Sequence, residues 1–390
     1  MNCCDGVNMS DRELIDSIRT SIVATPGMSI DDAIRESLPW QGEDSRALLA
    51  AHAQSAILGA GPLDAFLADP AVTDILVNGA AATWIDRGAG LERVESGFET
   101  DEDVRRLAVR LAAASGRRLD PASPFADATL SDGTRVHVAI APASRSGPVL
   151  SLRVLRRRML TIADLEQAGS IDPLTAATIR SVVAARLAFV ITGGTGSGKT
   201  TLLTAVLGLA APDERLLIVE DSPELAPAHP HVVSLITRPP NAEGAGEITL
   251  RDLVRQALRM RPDRVIVGEV RGVEVVDLLA ALNTGHDGGA ATVHANSPFE
   301  LPARLEALAS TALSRDAVHS QALAALQVVI HVRRTPQGRR VEQIAVLRRT
   351  PDHHVEIVPA VLTGQPAAAA EDLALMLALK QISPPEGLLP

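Results

Sequence analysis

One octapeptide constrains this chain more than any other stretch: Gly193-Gly194-Thr195-Gly196-Ser197-Gly198-Lys199-Thr200. Residues 187–192 before it form a short apolar run of strand character, and residues 201–209 after it carry helix character. Strand, glycine-rich turn and Lys-Thr opening a helix is the arrangement of a phosphate-binding P-loop. The glycines let successive backbone N–H groups point into one concavity, and the helix N-terminus adds the positive end of its dipole. In such a loop Lys199 meets the outer phosphates, the Thr200 hydroxyl ligates Mg²⁺, and residues 193–201, Thr201 included, form the cradle. The chain has only two lysines, Lys199 and Lys380, and uses arginine for its other basic positions. Lysine stands where a compact ammonium is needed and a rigid guanidinium fork would not substitute. ATP and Mg²⁺ are therefore the expected substrate and ion.

Composition narrows the class. A length of 390 residues accommodates about two domains, and 46% hydrophobic with 22% charged residues is the balance of a globular protein. A net charge of −10, with 2% aromatic residues and no tyrosine, argues against stable nucleic-acid binding. No apolar run approaches the ~18 residues of a membrane span, and residues 1–5 lack the basic and apolar segments of a secretory signal. A cytoplasmic protein is expected. Cys3 and Cys4 are the only cysteines and are adjacent, which excludes a disulfide framework or a cysteine-based zinc site. Met9 is an alternative start that would remove both.

Periodicity divides the chain further. Residues 1–47 read as a helical, partly disordered leader, with Leu14, Ile15, Ile18 and Ile22 on one helical face. Residues 48–158 read as a small mixed α/β domain. It has a helix over about 44–58, strands over 72–78 and 82–86, a helix over 101–114, and strands over 135–140 and 149–154. Residues 159–172 are a linker, entered through the cluster Arg156-Arg157-Arg158. From 173 to 363 strand and helix signals alternate, as in a parallel sheet with crossover helices. Apolar runs at 216–219, 265–267, 290–293 and 328–332 are its further strands, and an antiparallel meander closes it. Residues 364–390 read as an alanine-rich helix and a frayed, proline-rich tail.

In an open parallel sheet, ligands bind beyond the carboxyl ends of the strands. Several runs place polar groups there: the P-loop, Glu220-Asp221 with Glu224 close behind, Glu269, and His294. Glu269 follows the three apolar residues Val265-Ile266-Val267 and Gly268, the way a strand presents a carboxylate to a water attacking a phosphorus, and is assigned that role. Glu220 and Asp221 would help hold Mg²⁺ through water or polarise the nucleophile. Otherwise they cap the turn. His286 and His294 are candidate sensors of the γ-phosphate; their spacing, Asp287 included, matches no zinc site.

With these residues in place, residues 48–360 resemble the traffic ATPases of type II secretion, type IV pili and type IV secretion. Four boxes fall in the same order: the Walker A at 193–200, an acidic box at 219–225, a Walker B at 265–272 and a histidine box at 284–297. Arg238-Pro239-Pro240-Asn241, the stretch 257–264 and the stretch 283–288 resemble the CpaF/TadA branch that assembles tight-adherence (Flp) pili. The resemblance implies a RecA-like ATPase domain with a parallel-core sheet, preceded by a smaller, PAS-like mixed α/β domain. It also implies a hexameric motor, peripheral at the cytoplasmic membrane and docked on inner-membrane platform proteins, that drives pilus assembly or export. In such enzymes arginines of the first domain complete the site, and Arg135 and Arg153 occupy the matching positions. Arg238 and Arg271 are candidates for acting across a subunit boundary or for holding the acidic boxes. The tetracysteine metal motif of many type II secretion ATPases is absent. A DNA-transfer motor is the alternative, and a small-molecule P-loop kinase a more remote one.

Overall fold

In the computed structural model the described residues are 17–18, 20–21, 24–25, 28–37, 53–55, 57, 59–88, 90–130, 132–154, 160–240 and 244–389. The leader cysteines, Met9, most of the helices expected at 10–24 and 44–58, the cluster Arg156-Arg157-Arg158 and Asn241 lie outside them. The chain divides into two compact units, residues 1–156 and 157–390.

The first unit holds α1 (Ile30–Ser37), α2 (Asp64–Ala68), β1 (Asp74–Asn78), β2 (Thr83–Asp86), β3 (Leu91–Val94), α3 (Asp101–Ala114), β4 (Phe125–Thr129), β5 (Arg135–Ala139) and β6 (Val149–Arg153). Its strands pair antiparallel in the order β3-β2-β1-β6-β5-β4. Alternation decides the faces: Ile75 and Val77 of β1, Val136 and Val138 of β5, and Leu150 and Leu152 of β6 are buried, and the residues between them, Leu76, His137 and Ser151, face the other way and are less buried. Val104, Leu107, Ala108 and Leu111 form one stripe of α3 and join that core. A capping box starts α3: the Thr100 hydroxyl accepts from the Asp103 N–H, and the Asp103 carboxylate accepts from the Thr100 N–H at 2.9 Å.

The second unit contains α4 (Ile162–Gln167), α5 (Pro173–Ala184), β7 (Phe189–Gly193), α6 (Lys199–Leu207), β8 (Leu216–Glu220), β9 (Val232–Ile236), α7 (Leu250–Ala257), β10 (Arg264–Val270) and α8 (Glu274–Leu282). It continues with β11 (Ala290–His294), α9 (Leu301–Ala309), α10 (Arg315–Ala325), β12 (Val328–Thr335), β13 (Gly338–Arg349), β14 (Val355–Leu362), β15 (Gln365–Pro366) and α11 (Ala370–Leu379). The nine strands run β15-β14-β13-β12-β7-β11-β10-β8-β9. Neighbours from β12 to β9 pair parallel, and β13, β14 and β15 extend the β12 edge antiparallel. This is the α/β architecture expected of a RecA-like domain.

Both faces of the parallel core are covered, so β7 and β8 are buried at every residue. Phe189 and Ile191 face a core shared with α5, α6 and α11, whereas Ala188 and Val190 face one shared with α7 to α10. The carboxyl-terminal segment differs from the frayed tail expected of it. Leu373 and Leu377 of α11, four residues apart, are fully buried with Leu388. Pattern alone does not reveal a partner surface, and here β14 and the α5–α6 core supply one. Strands β3, β4 and β9 are short and had no counterpart in the expected set. Among the described residues no helix is long and apolar enough to cross a membrane.

Candidate functional site

The P-loop leaves β7 at Gly193 and returns at Lys199, the first residue of α6. Gly198 caps that helix at φ = 99°, a left-handed backbone angle that a side chain would strain. Lys199 Nζ donates to the carbonyls of Gly193 and Gly194, both at 3.0 Å. Burial pushes its pKa below the usual lysine value; Glu269 and Glu224 oppose that shift and Arg271 adds to it. A partly desolvated ammonium at the mouth of the loop is well placed to exchange carbonyl oxygens for the charged oxygens of a phosphate.

Two carboxylates, Glu224 beyond the end of β8 and Glu269 on β10, act at this point, and a third, Glu220, anchors the turn that carries Glu224. Glu220, the last residue of β8, is only 4% exposed. Its Oε1 accepts from the backbone N–H of Glu224 (3.1 Å) and of Leu225 (2.9 Å), which folds the acidic box back on the strand. That turn carries Glu224 Oε2 to 3.4 Å from the Thr200 hydroxyl. Gly268 permits the packing: a Cβ there would lie 2.8 Å from Glu220 Cγ. Glu269, next along β10, accepts from Arg271 Nε at 2.9 Å and is also bound by Arg271 Nη2. Arg271 Nη1 stands 3.9 Å from Asp221 Oδ2, so one guanidinium links both acidic boxes. Burial works against the Arg271 charge, but the Glu269 hydrogen bond and the charges of Glu269, Asp221 and Glu224 outweigh it and raise its pKa.

Thr200, Glu224 and Glu269 offer hard oxygen donors of the kind Mg²⁺ takes. Among the described residues no group of three His, Cys, Asp or Glu side chains forms a metal cage.

The histidine box divides. His294 ends β11 in register with Gly193, at the carboxyl edge beside the P-loop. His286 precedes β11 and donates through Nδ1 to the Ala281 carbonyl (3.1 Å), so it lies at the amino edge of the same strand, away from the glycine-rich loop. Arg238 Nε donates to Gly246 O at 2.7 Å and braces its own loop. Arg135 and Arg153, in the first unit, are paired across β5 and β6, with Asp74 next to Arg153 on β1.

Two neighbours of the loop were not singled out from sequence. His331 on β12 is 3% exposed and hydrogen-bonds through Nδ1 to Thr192 Oγ1 at 2.9 Å, inside the sheet that carries the loop. Burial lowers its pKa. A polar residue within the apolar run 328–332 was the available signal. Arg339 on β13 donates through Nε to Gly196 O at 3.0 Å, a contact between residues 143 apart that no local pattern announces. Beside it a cavity of about 410 Å³ runs from Gly198 and Thr201 to Leu165, Ile171 and Val341.

The family model of the type II/IV secretion system protein matches residues 57–361. The "Putative conjugal transfer protein" of Mycobacterium tuberculosis is 55% identical over 304 residues, covering 76% of this chain and 86% of that protein. Conjugal transfer protein TrbB of Rhizobium radiobacter is 32% identical over 294 residues, covering 74% and 88%. The crystal structure of the pilus retraction motor PilT with bound ADP matches with a TM-score of 0.51 at 17% identity, over 82% of this chain and 85% of that one, a likeness of fold. The match spans both units and includes the P-loop and both acidic boxes, and on that extent the chain belongs to the type II/IV secretion system protein family.

Proposed function

We propose that this protein is an ATP-hydrolysing motor of a secretion or pilus-assembly machine. The observation that carries the reading is the convergence of Lys199, Thr200, Glu224 and Glu269 at the carboxyl ends of parallel strands, where one lysine, one hydroxyl and two carboxylates meet. Lys199 and the loop N–H groups bind the β- and γ-phosphates. Thr200, with Glu224 and Glu269 nearby, holds Mg²⁺, which neutralises phosphate charge when bound. Glu269 takes a proton from a water as its oxygen bonds to the γ-phosphorus, and the bond from that phosphorus to the bridging oxygen of ADP breaks. Arg271 keeps Glu269 in place beforehand. At the partly exposed surface it occupies, an ion pair is worth ~0–1 kcal/mol, so releasing the carboxylate is cheap. Glu220 acts through the turn it holds. Arg135 and Arg153 contribute to turnover as the resemblance to traffic ATPases implies.

The same reading gives a hexamer that works at the inner face of the cytoplasmic membrane through platform proteins. The stretches 238–241, 257–264 and 283–288 favour the CpaF/TadA, Flp-pilus branch. A second reading, a conjugal-transfer motor, is favoured by the names of the relatives reported above. Glu269→Gln in the full chain tests the chemistry: ATP binding stays, and Mg²⁺-dependent phosphate release falls about 10²- to 10⁴-fold. A variant as active as wild type removes the mechanism. Turnover with and without DNA at low salt separates the two readings: stimulation by DNA favours conjugal transfer, and its absence favours the pilus motor.

A further inference from the structure

β12 and β13 form a hairpin in which Arg333 stands opposite Arg340, and Arg334 opposite Arg339. Like charges directly across a strand pair repel and cost stability. Among the described residues Arg333 has a carboxylate partner, Glu342 at 2.9 Å, and no ion pair joins Arg334, Arg339 or Arg340 to an acid. Arg334 and Arg339 share the side of the hairpin that meets the P-loop. Arg339 Nε donates to Gly196 O at 3.0 Å, and Arg339 Cδ lies 3.1 Å from where a Cβ on Gly198 would be. Arg334 Nη1 lies 3.9 Å from the corresponding point on Gly196. Arg339 and Arg340 also line the cavity of about 410 Å³ beside Gly198 and Thr201. Its one acid, Asp164, is engaged in capping α4, where it accepts from the Thr161 N–H (2.8 Å) and hydroxyl (2.7 Å).

We propose that Arg339, supported by the charges of Arg334 and Arg340, binds the phosphates of the nucleotide within its own chain. The hairpin is then a clamp on the flank of the loop lined by Gly198 and Thr201, whereas Glu224 meets the loop at Thr200. The inference rests on the reading of residues 193–200 as a nucleotide site. A guanidinium offers a planar fork that fits two phosphate oxygens, and an anion at this point relieves the repulsion between the crossed arginines. Arg339 exchanges the neutral carbonyl of Gly196 for that charged acceptor.

Fluorescence titration of the full-length chain with mant-ADP and Mg²⁺ tests the clamp. R339A is expected to bind about ten- to a hundredfold more weakly than wild type, the usual effect of losing a hydrogen bond to a charged group. R339Q keeps an N–H for the Gly196 carbonyl but lacks the charge, and is expected to lose as much. R333A, which removes an arginine already paired with Glu342, is expected to bind as wild type does. R339Q at wild-type affinity would show that Arg339 only braces the loop, and would overturn the inference, as would R339A at wild-type affinity. K199A without binding beside R339A with full binding removes the clamp and leaves the nucleotide site. A wild-type chain that binds no mant-ADP overturns both.

Discussion

Replacing Glu220 with alanine removes the acceptor of two backbone N–H groups, those of Glu224 at 3.1 Å and Leu225 at 2.9 Å. Glu220 is 4% exposed and Leu225 5%, so water cannot readily take over at Leu225, whereas Glu224 is only half-buried. Each buried N–H left without a partner costs ~1–3 kcal/mol, which puts Glu220→Ala at about 2–5 kcal/mol of lost stability in the second unit. Glu220→Gln keeps a carbonyl oxygen at the same place. Because a charged acceptor is roughly twice as strong as a neutral one, its loss should be only about 1–2 kcal/mol. Gly268→Ala presses a methyl against Glu220 Cγ at 2.8 Å and should displace the same turn. Urea unfolding followed by far-UV circular dichroism reads this out. Both tryptophans, Trp40 and Trp84, precede residue 157, so their fluorescence reports separately on the first unit and should not move. Turnover should fall with stability in Glu220→Ala, since the turn positions Glu224 beside Thr200. Unfolding of Glu220→Ala at the wild-type urea midpoint, or equal losses in the alanine and glutamine variants, would refute the anchoring role.

Two further outcomes follow from buried groups. His331 is held neutral by burial, so its folded pKa lies below its unfolded value of ~6.5 and the unfolded chain binds the extra proton. Its contribution is present above that pH and lost as pH falls below it, and urea midpoints at descending pH should fall less steeply in H331Q than in wild type; parallel slopes would exclude His331 as a source. Leu373→Ala should cost about 2–5 kcal/mol in thermal or urea unfolding if α11 belongs to the core, and a wild-type transition would show that it does not.

What was legible in the chain followed from local chemistry. The glycines and Lys199 specify a cradle for phosphate, and β-branched runs ending in Glu220 and Glu269 specify strands that deliver acids to one edge. Helix α3 could be read from its apolar stripe and its Thr100–Asp103 cap. Short strands such as β9, five residues of which none is fully buried, carry too little pattern to be separated from loops. The partition of roles was not legible, because it depends on contacts between residues distant in sequence. Glu220 and Glu269 look alike as acids at strand ends, yet one is buried as the anchor of a turn and the other is half-exposed on Arg271. His286 and His294 lie eight residues apart in one box, and the strand between them sends them to opposite edges of the sheet. Arg339 reaches Gly196 only because β12 runs parallel to β7 and the hairpin folds back over the loop. Sequence determined the strand, glycine-rich turn and helix that carry Lys199 and Thr200, since backbone angles and charge there are set by neighbouring residues. Tertiary structure alone decided which acids and arginines stand around that turn, since strand order is set by packing both faces of the sheet.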